Sequence, residues 1–141
     1  MSEENLWTWL GGVLPLGHYS RIESDTSPGF PDVYAKPDWG SQCTIELKHS
    51  RGTAKIPFKN EDDGLHKSQR IWIRDELRAG GKVWIFAQVG TSVLLIPGAK
   101  YSKFNGSTQQ ELWELAEKII ERRNKRKAAA ILSDLLLEKT K

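Results

Sequence analysis

Asp32, Glu46 and Lys48 are the residues of this chain whose types and spacing point to chemistry. Thirteen residues separate Pro31-Asp32 from Glu46-Leu47-Lys48. A carboxylate on one extended segment and a Glu-x-Lys on the next can hold a divalent cation and an ammonium beside a phosphodiester. Hydrolysing that ester requires a deprotonated water, stabilisation of the charge developing on phosphorus, and a neutralised leaving oxygen. A Mg²⁺ held by two carboxylates acts as a Lewis acid and lowers the pKa of a bound water. Mg²⁺ prefers octahedral oxygen ligands and keeps several waters, so Asp32, Glu46 and the backbone carbonyl of Leu47 are a sufficient protein set. Lys48 is left to pin the scissile phosphate or to orient the attacking water. The same cations offset the repulsion between two neighbouring acids.

The elements that must position these groups follow from periodicity. Gln42 to His49 alternates: Cys43, Ile45 and Leu47 share one face of a strand, and Thr44, Glu46 and Lys48 share the other. The apolar face goes to the core, so the opposite face presents an acid and an amine side by side. Asp32 to Ala35 is a short strand before it, and Lys36 to Gly40 is a turn. Upstream, Glu3 to Leu14 reads as a helix with Ser2 as N-cap, ended by Pro15 and Gly17. His18 to Glu23 reads as a strand, with a loop running through Phe30. Downstream, Arg51 to Gly64 is a polar loop expected to be mobile. Leu65 to Ala79 is a helix stopped by Gly80-Gly81. Its stripe of Leu65, Trp72, Ile73 and Leu77 is interrupted by Gln69, a polar misfit. That places Gln69 toward the Glu46/Lys48 face, or else at the stripe edge in solvent. Lys82 to Val89 and Ser92 to Ile96 form a hairpin. Thr108 and Glu111 fit a capping box opening a long helix to about Glu138, with a break near Asn124. Its apolar residues Ile131-Leu132 and Leu135 to Leu137 are expected to pack on another subunit. The fold class is therefore α/β: a helix, a mixed sheet of about five strands, a second helix and a long C-terminal helix. One domain spans residues 1–141, with a core of about 3–97 and a helical extension of about 107–139.

Composition excludes several classes. The net charge is +3, with 38% hydrophobic and 28% charged residues, which is ordinary for a water-exposed globular domain. No apolar run is long enough for a membrane span. Met1-Ser-Glu-Glu is acidic and lacks the basic start of a secretory signal, and with one cysteine, Cys43, the expected setting is a reducing cytoplasm. His18, His49 and His66 lack the spacing of a zinc site and are read as structural or exposed. Trp39, in a turn, is the tryptophan expected to face outward, while Trp7, Trp9, Trp72, Trp84 and Trp113 serve the core. The run Arg122 to Lys127 concentrates positive charge, either as a phosphate contact or as a solvated helix face.

Gly29-Phe30-Pro31-Asp32, Ile45-Glu46-Leu47-Lys48, Gln69-x-x-Trp72 and Gly80-Gly81, in that order, resemble the PD-(D/E)xK nuclease superfamily. The VRR-NUC branch of phage and repair nucleases, itself similar to the archaeal Holliday-junction resolvases, is the nearest resemblance, over about Glu3 to Val89. It implies a restriction-endonuclease-like core that cuts DNA with Mg²⁺ or Mn²⁺. Asp32 and Glu46 would then be metal ligands, Lys48 the catalytic lysine, and Gln69 a support from the second helix. The family's first-helix glutamate would fall on Glu4 or Glu3, which otherwise complement the helix dipole. Related resolvases place arginine and serine near Arg21, Ser20 and Ser27, where they could touch phosphate; a plain solvated strand end is the alternative reading. Lys55, Lys59, Lys67 and Arg70 border the polar loop and are candidates for lining a DNA channel. The function implied is structure-specific cutting of branched DNA such as a Holliday junction, by a homodimer, since symmetric cutting needs two sites. The alternatives are a nicking or restriction-like nuclease, a non-catalytic DNA-binding module on the same fold, and an interaction protein in which Asp32 and Glu46-Lys48 are a surface ion pair.

Overall fold

A computed structural model describes residues 3–22 and 29–137. A six-stranded mixed sheet forms the middle layer, in the order β1 (Gly17–Arg21), β2 (Val33–Pro37), β3 (Cys43–Ser50), β4 (Val83–Val89), β5 (Ser92–Pro97) and β6 (Lys118–Glu121). Neighbours are antiparallel except β3 and β4, which are parallel. A parallel pair requires a crossover, and α2 (Lys67–Arg78) supplies it. The helices α1 (Glu3–Gly11) and α5 (Lys125–Leu136) contribute to one face. The other face carries α2, α3 (Tyr101–Phe104) and α4 (Gln109–Leu115).

The two faces are filled differently. On the α1/α5 side, the buried side chains come from every strand from β2 to β6: Val33, Ala35, Cys43, Ile45, Leu47, Phe86, Val93, Leu95 and Ile120. On the α2 side, the buried strand residues come from β4 and β5 alone: Val83, Ile85, Ala87, Val89, Leu94 and Ile96. The α2 face of β2 and β3 therefore has no apolar filling, and Glu46 and Lys48 lie there.

The C-terminal third departs from the expected long helix. Thr108 and Glu111 do form the reciprocal capping box, with Thr108 Oγ1 accepting from the Glu111 amide and Glu111 Oε1 from the Thr108 amide. The helix ends at Leu115, however, and 118–121 is a strand. Ile119 and Ile120 fit a helical stripe equally well, but β5 offers a full row of unpaired backbone groups, and β6 satisfies them. In strand geometry the two isoleucines separate: Ile120 is buried against Val93 and Leu95, and Ile119 turns outward. Asn124, where the break was expected, caps α5, its Oδ1 accepting from the Lys127 amide. The apolar residues of α5 are used within the chain: Ala128, Leu132 and Leu136 are buried in the α1/α5 layer, with Ile131 and Leu135 packed beside them. No second subunit is needed to cover them, and the C-terminal part belongs to the core rather than extending from it.

The loop between β3 and α2 is pinned rather than mobile. Phe58 is fully buried and stacks on Phe104 with ring centres 4.7 Å apart. The Asn105 amide both accepts from Leu65 N and donates to Leu65 O, at 2.8 Å each. Gln109 Nε2 donates to the carbonyls of Gly52 and Ala54.

Trp9 is buried, the four other tryptophans assigned to the core pack against it while partly exposed, and Trp39 is 98% exposed. Cys43 is buried, and burial pushes its thiol up to about 11, against a smaller lowering by Lys82. The folded state thus favours the neutral thiol. Unfolded chains ionise from about pH 9 and folded ones only near 11, so stability falls as pH rises through that window. Native protein at pH 8 is expected to resist iodoacetamide for hours and to label within minutes in urea. Rapid native labelling would show that Cys43 is reachable.

Candidate active site

β2 pairs with β3 from Ala35↔Cys43 to Val33↔Ile45, and the next step of that register sets Asp32 opposite Glu46. Beyond Val33 the ladder is continued by a side chain: Asp32 Oδ2 accepts from the Leu47 amide at 2.7 Å. The backbone of Asp32 is fixed from the other side, where its carbonyl accepts from Ile22 N at 2.7 Å. In an antiparallel ladder the N–H and C=O of a residue leave the strand on the same edge. The Leu47 carbonyl therefore leaves β3 on the edge where the Asp32 carboxylate sits.

Glu46 and Lys48 are 1% and 6% exposed, a depth at which a charged group is costly unless it is paired or hydrogen-bonded. One side chain serves both. Gln69 Nε2 donates to Glu46 Oε1 at 3.0 Å, and Lys48 Nζ donates to Gln69 Oε1 at 3.2 Å. The same Gln69 oxygen accepts from His66 N at 2.8 Å, closing the first turn of α2, so the amide that orients the acid and the amine also fixes its own helix start. Gln69 is thus turned to the strand rather than to solvent. His66 is the N-cap of α2, a role without a zinc-like pattern.

A second lock holds the Asp32 segment against α2. Gly29 has φ +87, and a Cβ there would lie 2.3 Å from the Ser68 carbonyl oxygen. Only glycine tolerates both the left-handed backbone and this approach. Phe30 then packs on Trp72, ring centres 5.5 Å apart. The Gly-Phe-Pro-Asp string is thus a spacer that sets Asp32 relative to Gln69.

The structure therefore brings Asp32, Glu46, Leu47, Lys48 and Gln69 together, with Glu46 and Lys48 as the floor and half-buried Asp32 and Gln69 at the rim. The phosphate-contact candidates are more scattered. Arg21 pairs across from Val33, whose side chain enters the α1/α5 core, so Arg21 projects from the opposite face to Glu46. Lys55 is exposed on the pinned loop, and Lys67 is exposed at the first residue of α2. Arg70 is bonded to Glu61 at 2.6 Å. Ser27 and the side chains of Glu3 and Glu4 lie outside the described residues. His49 projects away from Lys48, as alternation requires. Burial first, then the Arg122 and Arg51 guanidiniums, hold its imidazole below the ordinary histidine range. His18 is exposed, edge-on to Tyr34.

The donor set suits a hard cation. Two carboxylates and one backbone carbonyl are all oxygen, and Mg²⁺ completes its shell with water and substrate phosphate. Among the described residues no three of His, Cys, Asp and Glu gather into a metal-holding group, so a closed all-protein cage is not what these residues build. The roles sequence reasoning missed are those of His66 and Gly29. The first had no signal beyond its place before the helix, and the second had its place in the string before Asp32.

Comparison of the chain with models of known protein families gives no match, and neither does comparison with curated protein sequences. Among the described residues, no helix is long and apolar enough to cross a membrane.

Proposed function

We propose that this protein is a metal-dependent endodeoxyribonuclease with a restriction-endonuclease-like core. The observation that carries this reading is the Gln69 amide held between buried Glu46 and buried Lys48, beside the Asp32 carboxylate on Leu47. A fold gains little from burying an acid and an amine where the sheet has no apolar filling, because a well-packed apolar pair is often as stable or more so. A catalyst gains a preorganised charge pair.

Asp32, Glu46 and the Leu47 carbonyl would hold Mg²⁺ or Mn²⁺, which when bound supplies Lewis acidity and a water of lowered pKa. Lys48, a fixed cationic donor on Gln69, neutralises charge at the scissile phosphate and orients the attacking water. Gln69 positions both groups without touching substrate. Branched DNA such as a four-way junction is the proposed substrate, and its symmetric cleavage calls for a homodimer.

The test is a panel of junction, flap, linear duplex and single-stranded DNA in Mg²⁺, together with Mn²⁺ calorimetry. Cleavage of the junction and a saturable Mn²⁺ site lost in Asp32→Asn are expected. No cleavage of any substrate, with no Mn²⁺ site, would leave Asp32 and Glu46-Lys48 as a structural cluster.

A further inference from the structure

The parallel strands β3 and β4 end together, Ser50 beside Val89, and the Gly90-Thr91 turn sits at that end. β6 runs toward the same end, where Arg122 N donates to the Thr91 carbonyl. The basic run from Arg122 to Lys127 therefore emerges at the end of the sheet to which Lys48 is nearest. Arg123, Lys125, Arg126 and Lys127 are exposed, and among the described residues they form no ion pair. The neighbouring acid Glu121 is engaged with Thr91 and Ser92.

Two features separate this run from a solvated helix face. Lys125, Arg126 and Lys127 are the first three residues of α5, whose first turn holds no acid. Cations there oppose the helix dipole, so the helix would be more stable without them. The run also borders a cavity of about 580 Å³, lined by Arg122, Arg123, Lys125 and Thr91 and, from the first helix and its end, by Asn5, Thr8, Trp9 and Gly12. That is space for a phosphate and its sugar, with three cations and the Trp9 ring among its lining residues.

We propose that the β6–α5 connection is a second backbone-binding site for duplex DNA. It lies three strands from β3 at the same end of the sheet, on the α1/α5 side, whereas Glu46 and Lys48 face α2. This rests on the nuclease reading for its substrate. Because they face away from Glu46 and Lys48, the β6–α5 residues contribute to binding rather than to chemistry.

The experiment is fluorescence anisotropy of a 30-base-pair duplex against salt, in EDTA, with cleavage in Mg²⁺ measured separately. Arg123→Ala/Lys125→Ala spares Arg122, which packs on Trp9. A control pair, Lys100→Ala/Lys103→Ala, removes equal charge from exposed positions at the other end of the sheet. The first pair is expected to weaken binding tenfold or more and to reduce the slope of log K against log salt by about 2. It should raise KM with kcat kept, and the control pair should retain the wild-type slope. An unchanged slope, or equal losses in both pairs, overturns the proposal while leaving cleavage intact. A slope that depends on Arg123 and Lys125 in a protein that cuts nothing upholds the grip and rejects the nuclease.

Discussion

Lys48→Met is expected to lower the DNA cleavage rate about a thousandfold, the scale seen when one preorganised donor is removed from a reacting centre. It is also expected to destabilise the protein by about 1–3 kcal/mol, because Glu46 would keep its burial and lose the nearby cation. These two effects come apart in the double variant Glu46→Gln/Lys48→Met. Glutamine retains the shape of Glu46 and can still bond to Gln69, and methionine retains most of the lysine stem, so stability should return to that of the wild type or exceed it. Cleavage should not return. Urea unfolding and single-turnover cleavage on one preparation check both. Recovery of cleavage together with stability would mean that Glu46 and Lys48 serve only packing.

Gly29→Ala should be nearly as damaging, although residue 29 is uncharged. The added methyl meets the backbone of Ser68, which belongs to a helix turn and cannot rotate away like a side chain. Overpacking of this kind, added to a left-handed backbone that alanine disfavours, costs about 2–4 kcal/mol. The chain can relieve it only by parting the Asp32 segment from α2, which separates the first carboxylate from the other site groups. Cleavage should therefore fall by tenfold or more even well below the melting temperature. Deletion of a surface contact predicts no such loss, so a folded Gly29→Ala protein with full activity would reject the spacer role.

The residues of the site were legible because their signal is local. Alternation on β3 alone predicts that Glu46 and Lys48 share a face, and Gln69 announces itself as a polar break in an apolar stripe. The two carboxylates meet because the β2–β3 register sets Asp32 opposite Glu46, and a short turn all but dictates that register. The C-terminal third was not legible, because its signal is non-local. Leu112, Leu115, Ala116, Ile119 and Ile120 have helical spacing, and only the free edge of β5 selects strand for the last two. The same applies to the 51–64 loop, polar by composition yet held by Phe58, Asn105 and Gln109 at distances in sequence that no window spans. Gly29 falls between these cases: its place in the string is visible, but its neighbour Ser68 is not.

That α1 and α5 press on one face from opposite parts of the chain has a temporal consequence. A nascent chain carrying only the first hundred residues has every group of the Asp32/Glu46/Lys48/Gln69 cluster, yet its sheet lacks β6, α5 on one face, and α3 and α4 on the other. Such a chain leaves both faces of its sheet partly uncovered, and the packing around its acid, amine and amide is complete only once Leu136 has been made. On the proposed function, the charged cluster of a nuclease built this way would be complete in its packing only once the last helix has been made.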